Sequence, residues 1–413
     1  VADAQASKSR LQLLADRAAF YLTIIAVFGG LLTFVLWLSA DAGTAFAIER
    51  MVAVLVIACP HALGLAIPLV ATISTTLAAR SGFLVRDRRA LESARNVDVV
   101  LFDKTGTLTK GEYGVERVWA TAGGDIRDVL GLAASVDASS EHFIARAIVA
   151  KAREDGLPPF AVKNFQAITG KGARALVNGE EVMVGGAAIL GGRTVPEALA
   201  VELLAEGERG RTVVYLLRGS ELVGAIALGD VIRPESREAV AALKAMGLNV
   251  AMVTGDSEDV AAWVSRELGI KEYFARVLPQ DKAAKVKLLQ ERGQRVAMVG
   301  DGINDAPALA QADVGIAVGA GTNVAIESAG IILVRNDPRD IPKIIRLSRL
   351  TYTKMLQNLF WATGYNVVAL PLAAGALAAY GIFLQPAASA FLMSFSTVIV
   401  AMNALLLRRA SLA

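Results

Sequence analysis

The chain is poor in the side chains that most often carry chemistry. Its 413 residues include one cysteine, Cys59, and two histidines, His61 and His142. A single thiol cannot close an internal disulfide, and it excludes zinc ribbons and four-thiolate iron–sulfur sites within the chain. Charged residues make up 20%, below the roughly 25% of ordinary soluble domains. Aromatic residues are 6% and the formal net charge is +3 with no long basic run, so there is no nucleic-acid footprint. The absence of a GxxxxGKS/T loop excludes a Walker-type ATPase. No internal repeat, low-complexity segment or signal peptide is visible.

Apolar residues, by contrast, are abundant. They reach 54% and concentrate in four runs: Phe20–Leu38, Met51 to about Ala79, Leu356–Ala379 and Ala387–Leu407. Each can supply the ~20 residues that cross ~30 Å of hydrocarbon. The second is interrupted by Cys59-Pro60-His61 and by Pro68. Lys8, Arg10 and Arg17 precede the first run, and Arg80, Arg86, Arg88 and Arg89 follow the second. Lys343, Arg346, Arg349 and Lys354 lead into the third, and Arg408 and Arg409 follow the fourth. Residues 39–49 and 379–389 carry no Lys or Arg, although Arg50 stands at the edge of the first stretch. The positive-inside rule then places both termini and the middle of the chain in the cytoplasm of a membrane-embedded protein.

That middle reads as α/β. Val97–Phe102, Asn249–Val253 and Arg295–Val299 look like buried parallel strands, with helical patterns at Glu235–Met246 and Lys282–Arg292. Each strand ends at a polar turn: Asp103-Lys104-Thr105-Gly106, Thr254-Gly255-Asp256 and Gly300-Asp301-Gly302. Ligands of open parallel sheets sit beyond the carboxyl ends of the strands, so the three turns are expected to converge. From Gly111 to about Glu221 the pattern changes to helices near 126–135 and 141–154 and short strands at 173–177 and 182–184. This predicts an inserted unit. Leu222–Leu228 is expected to return to the first sheet.

An aspartate at a strand end can attack a phosphoryl group and form an acyl phosphate. It needs a cation and hydrogen-bond donors for the phosphate oxygens. Asp103 is the candidate nucleophile, followed by Lys104 and Thr105. Asp301 and Asp305 supply carboxylates for Mg²⁺, Thr254 and Gly255 a hydroxyl and an N–H, and Lys282 a positive clamp. Asp137, outside these motifs, is expected to be a neutral mutational control for Asp103.

DKTGTLT, TGD and GDGINDAPAL, in this order and flanked by apolar runs, resemble the heavy-metal P-type ATPases. The resemblance implies a multi-domain membrane protein. An α-helical transmembrane bundle would carry an α/β haloacid-dehalogenase-like phosphorylation domain with an inserted α+β nucleotide-binding domain. It implies a division into 1–80 (a linker helix and two spans), 81–110 with 222–345 (phosphorylation), 111–221 (nucleotide) and 346–413 (two spans). It assigns Asp103 as the phosphorylated residue, with Mg²⁺ on Asp103, the Thr105 carbonyl and Asp301, supported by Asp305. Related phosphatases carry a second Asp where Thr105 stands, which fits a phosphoenzyme that must persist.

Glycines allow close backbone approach to a ligand, and a His can bond or stack on adenine. Heavy-metal pumps carry Ser-Glu-His-Pro followed by GxG. This chain has Ser140-Glu141-His142-Phe143, then Gly170-Lys171-Gly172 and Gly185-Gly186. The resemblance implies ATP binding by Glu141, His142, Gly170, Gly172 and Gly185, with Phe143 in place of Pro as a departure.

Cys59-Pro60-His61 lies within the second apolar run, where Pro60 kinks the helix and exposes carbonyls. Thiolate and imidazole suit copper, silver or zinc rather than calcium. Asn358, Tyr365, Asn366, Met393 and Ser394 are polar or thioether residues of the later runs, where such groups bond across helices or line a path. CPHALGLAIP, N-x6-YN-x4-P and MSxST resemble the copper-transporting branch with a Cys-Pro-His motif. That implies export of Cu⁺ or Cu²⁺, with Ag⁺ as a further cargo, in a bacterial or archaeal cell membrane. Family members also carry an actuator domain with Thr-Gly-Glu and further upstream helices. Neither is present, so the chain is expected to be the carboxyl-terminal part of a pump. A zinc/cadmium pump and a membrane-tethered phosphatase remain open alternatives, as does a copper-binding protein with a vestigial loop.

Overall fold

A computed structural model describes residues 10–121, 123–168, 171–301, 303–319 and 327–412. The chain divides into two compact units, one of Val1–Val99, Leu289–Met298 and Ala306–Ala413, the other of Val100–Leu288 and Val299–Asp305.

The described chain opens on three helices, α1 (Arg10–Ser39), α2 (Thr44–Ile57) and α3 (His61–Arg80). α1 is apolar on all sides, and Phe20 and Phe28 remain largely exposed, a surface that suits lipid or neighbouring helices better than water. α2 and α3 replace the single kinked span expected from Met51 to Ala79. Pro60 has no N–H, and the His61 N–H donates to the Cys59 carbonyl at 2.9 Å rather than to Ile57 four residues back. The helix is therefore interrupted at 58–60, not bent, whereas Pro68 sits inside α3. Strand β1 (Phe83–Val85) and helix α4 (Arg88–Ala94) follow, the latter capped by the Asp87 carboxylate accepting from the Arg89 N–H.

Next comes β2 (Val99–Asp103), every residue of which is buried. The insertion then runs through β3 (Thr109–Ala120), α5 (Ile126–Asp137), α6 (Phe143–Glu154), β4 (Val162–Ile168), β5 (Gly172–Val177), β6 (Glu180–Gly185), α7 (Glu197–Glu208), β7 (Thr212–Arg218) and β8 (Glu221–Ile232). These strands form one antiparallel sheet in the order β3-β8-β7-β6-β5-β4. One face packs Val129, Leu132 and Ile148 of α5 and α6 against Val184, Leu216 and Ile226. The other packs Leu203 of α7 against Trp119, Ala225 and Ala227. Here the structure corrects the expectation for Leu222–Leu228. That run is apolar because both of its faces are covered, but it pairs with β3, not with the first sheet. Thr109 is in register with Ile232, so the sheet of the insertion extends from Thr109 to Ile232 rather than 111–221.

The chain re-enters through α8 (Pro234–Ala245), β9 (Asn249–Val253), α9 (Glu258–Leu268), β10 (Glu272–Phe274), α10 (Lys282–Glu291), β11 (Val296–Gly300), α11 (Ala306–Gln311), β12 (Val314–Val318) and β13 (Ile331–Leu333). The order is β1-β13-β12-β11-β2-β9-β10, with β9–β10 and β12–β13 parallel and β1 antiparallel at one edge. β2 thus lies between β11 and β9. This order places the turn after β2, which begins at Asp103, between those that begin at Asp301 and Thr254.

Two helices close the chain, α12 (Asp340–Ala374) and α13 (Pro386–Leu406). The expected boundary at 345/346 falls inside α12. The third expected run also stops early, at Ala374, where Gly375 takes φ 97° as the C-cap. Among the described residues, three helical segments are long and apolar enough to cross a membrane: Leu11–Ser39, Thr44–Arg80 and Pro386–Arg409. The remaining expected span is the distal part of α12, where Gln357, Asn358 and Asn366 dilute the apolar sequence. Small residues at the helix contacts, among them Ala62, Ala66, Ala362 and Ala404, let α3, α12 and α13 approach closely around Ile67, Val70 and Val400.

Candidate functional site

Asp103 ends β2 and is 5% exposed. Asp301 follows β11 and Asp305 lies one short turn later. The three carboxylates offer oxygens within 4.8 Å of one another, which is the one such group of His, Cys, Asp or Glu found among the described residues. Lys282, at the start of α10, bridges two of them, its Nζ donating to Asp103 Oδ1 and Asp305 Oδ1 at 2.7 Å each. Burial, then the Asp305 carboxylate, pushes Asp103 up to about 7, although Lys282 pulls the other way. Asp301 is raised for the same two reasons. Against burial, which lowers it, Asp103 and Asp305 raise Lys282. One ammonium therefore does not neutralise three carboxylates. An oxygen-only donor set with surplus negative charge fits a hard divalent cation such as Mg²⁺.

The loop after Asp103 is held from several directions. Gly106 has φ 73°, and a Cβ there would stand 1.8 Å from Asp301 Oδ2, so only glycine permits this approach. Arg233 Nε donates to the Thr109 carbonyl at 2.9 Å, and Ser236 Oγ to the Leu108 carbonyl at 2.8 Å. Lys104 turns to two further aspartates, Asp256 at 2.8 Å and Asp230 at 3.2 Å. Asp230 also accepts from Thr109 Oγ1 at 2.5 Å and from the Gly111 N–H at 3.0 Å. Sequence reasoning gave Asp230 no role and read Asp256 only as part of a turn. Their signal was the pairing of each acid with a strand end. Thr105 is exposed beside Lys104, and both line an open cavity of about 160 Å³ with Arg209, Arg211 and Trp263. Thr254 is 2% exposed, and its hydroxyl donates to the Asp256 carboxylate at 2.8 Å. Gly255 follows it, and a Cβ there would touch the Val277 carbonyl at an ordinary 3.5 Å.

A second cavity, of about 470 Å³, opens on the antiparallel sheet. His142, Gly172 and Gly185 line it, joined by Asp137, Ser140 and Lys171. Glu141 is exposed and is not among the lining residues, and Gly170 lies outside the described residues. His142 caps α6, its Nδ1 accepting from the Ile144 N–H at 3.4 Å. Gly172 and Gly185 are partners in register on β5 and β6. A Cβ on Gly172 would meet the Val184 carbonyl at 2.0 Å, and one on Gly185 the Lys171 carbonyl at 2.1 Å. Their first duty is clearance between strands. The expectation that Asp137 is a neutral control is corrected: it is 5% exposed at this cavity, and burial pushes it up to about 7.

In the helical unit, Cys59 and His61 flank the break and are both exposed. Tyr365 is within electrostatic reach of Cys59 and beside Ser396 and Asn366. Asn366 is 2% exposed, and neither of its amide atoms makes a hydrogen bond of good geometry. Asn358 is different. Its Nδ2 donates to the Ala66 carbonyl at 3.0 Å and its Oδ1 accepts from Asn403 at 2.8 Å, so its amide is spent on helix contacts. Met393 is half-buried, whereas Ser394 is exposed and donates to the Ala390 carbonyl of its own helix. Of Ser394 and Ser396, it is Ser396 that lies on the buried face.

Residues 97–313 match the family described as haloacid dehalogenase-like hydrolase. A copper-exporting P-type ATPase B of Archaeoglobus fulgidus is 56% identical over 99% of this chain and 59% of its own length. That of Enterococcus hirae is 43% identical over 99% of this chain and 55% of its own. The chain thus spans less than two thirds of these curated relatives. Among solved structures, a zinc-transporting PIB-type ATPase in the E2.Pi state superposes with a TM-score of 0.80 at 35% identity, covering 94% of this chain and 62% of that one. The chain belongs to the haloacid dehalogenase-like hydrolases, and its homologues along nearly its whole length are copper-exporting P-type ATPases.

Proposed function

We propose that the chain is the phosphorylating and ion-conducting part of an ATP-driven copper exporter. The observation that carries this reading is the buried Asp103, at a strand end, sharing Lys282 with Asp305 beside Asp301. An Asp103 carboxylate oxygen attacks the γ-phosphorus of ATP, the bond to the bridging oxygen breaks, and ADP leaves with that electron pair. Asp103, Asp301 and the Thr105 carbonyl would hold Mg²⁺, which supplies charge neutralisation at the transferred group when bound. Lys282 neutralises the attacking side, and the loop bonds of Arg233 and Ser236 keep Asp103 in line. Thr105 offers no carboxylate to activate water, which favours a lasting phosphoenzyme.

The 470 Å³ cavity is the proposed adenine site. Below about pH 7 Asp137 holds its proton and can donate to a ring nitrogen, while His142 presents its other ring nitrogen. Cys59, His61, Tyr365, Asn366 and Met393 are the proposed copper path, with thiol, imidazole and thioether donors suited to Cu⁺ or Ag⁺. The basic flanks of the helices favour a multi-pass protein with its α/β parts in the cytoplasm. An actuator domain and upstream helices complete the proposed pump.

The test is acid-stable radiophosphate labelling from ATP with a panel of metals. Label that depends on Mg²⁺, rises with Cu⁺ or Ag⁺ and disappears in Asp103→Asn but not in Glu197→Gln supports the reading. Stimulation by Zn²⁺ or Cd²⁺ alone would replace copper with zinc.

A further inference from the structure

Arg50 is 1% exposed in α2, a helix otherwise apolar apart from Thr44 and Glu49. Its guanidinium is sandwiched by Phe46 and Phe383, at 5.4 and 5.5 Å from the ring centroids. Nη1 donates to the Leu384 carbonyl at 2.8 Å and Nη2 to Glu49 at 2.6 Å, while Nε–H is buried without a partner. The enclosure is itself braced. Trp37 lies edge-on to Phe46 at 5.1 Å and donates to the Ala374 carbonyl at 2.8 Å. Between this layer and the break at Cys59 lies an apolar one, Ala53, Val54 and Ile57 against Ala369 and Ala373, with Tyr365 packed at its margin.

A guanidinium does not lose its proton, and an ionisable residue inside a membrane span marks a pathway until shown otherwise. The Glu49 side chain is 45% exposed whereas the Arg50 side chain is 1% exposed, so the cation sits in a lower-dielectric surround than its counter-charge. The local field is therefore net positive, next to a layer that offers a bare ion no ligand.

We propose that Arg50 is a rectifying charge at the outer end of the metal path, a residue that opposes re-entry of the released cation. The proposal rests on the pump reading and its orientation, which put the 39–49 connection on the non-cytoplasmic side. Outward release requires α2 to move this layer aside. In the closed state a returning cation meets the guanidinium first and the apolar layer second.

The experiment uses the natural full-length protein in proteoliposomes, with ATPase turnover measured against Ag⁺ on the release side. In Arg50→Gln and Arg50→Met the half-inhibitory Ag⁺ concentration should fall about tenfold, the effect of one charge acting over a dozen ångströms of partly screened medium. Arg50→Lys should stay near wild type. Glu49→Gln, which strips the counter-charge, should shift the midpoint the other way by about twofold. Glu49→Gln also decides the matter if the Arg50 variants do not fold. Midpoints unchanged in every variant that folds, with activity losses alike in Arg50→Gln and Arg50→Lys, would make Arg50 a staple between loops and overturn the proposal. Absence of Ag⁺-stimulated phosphoenzyme in the wild type would instead sink the pump reading, and the proposal with it.

Discussion

Asp103 and Asp137 share one cause, burial, but only Asp103 has a second. Asp103 is raised by burial and a second carboxylate. Asp137 is raised by burial alone. For Asp137 the folded state holds its proton from the ordinary carboxylate range up to about 7, where the unfolded chain has released it. Protons bound in excess by the folded state mean that stability is present at low pH and is lost as pH rises through that window. The shift corresponds to a local effect on the order of 4 kcal/mol. Amide exchange in α5, corrected for its intrinsic pH dependence, should therefore accelerate between about pH 4 and pH 7 in wild type. It should show no such trend in Asp137→Asn. Nucleotide affinity should weaken as pH rises through about 7 if the protonated form is the donor. Nothing in the sequence singles out Asp137, because its character comes from what α5 and the sheet pack around it. Asp103 was legible because its neighbours in the chain, and the turns after two later strands, are themselves the site.

The break between α2 and α3 shows how far local sequence carries at the level of elements. A proline in an apolar run predicts a disturbance, and the residues 58–60 are where it occurs. Its extent was not legible, since a kink and an interruption differ in whether the His61 N–H finds Ile57 or Cys59. Pro60→Ala restores a donor and removes the ring, so α2 and α3 should tend to merge into one helix. We expect metal-stimulated phosphorylation to fall by about tenfold or more, through loss of preorganised ligands, while metal-independent nucleotide binding is unchanged. Equal stimulation in Pro60→Ala and wild type would argue that the break does not serve the metal. The strand β8 teaches the converse. Leu222–Leu228 reads as a central parallel strand, and its pairing with β3 could not be recovered from pattern, because burial on both faces erases the alternation that marks an antiparallel strand.

At the level of the whole chain, one aspartate joins the two sheets' business. Asp230 takes the Thr109 hydroxyl, the Gly111 N–H and the Lys104 ammonium at once, where β3 leaves the phosphorylation loop and β8 returns to it. Asp230→Asn keeps the shape but gives up charge-assisted bonds worth roughly 1.5–3 kcal/mol each in favourable settings. Phosphoenzyme formation at saturating ATP should drop by about tenfold or more while nucleotide affinity, if set in the proposed adenine cavity, stays within about twofold. Parallel losses of affinity and rate would mean that Asp230 only maintains the fold. Order of elements and the convergence of the three turns were legible in the sequence; this knot was not, because its members are 126 residues apart. It also has a mechanical meaning. A body hung from a chain by two independent threads can swing, twist and slide. The antiparallel sheet hangs from β3 and β8, which are bonded to each other along their length and clamped together at the root. A ribbon built this way bends across its flat face but resists shear and torsion. Bending across that face is therefore the direction in which the sheet is expected to tilt most easily about its root.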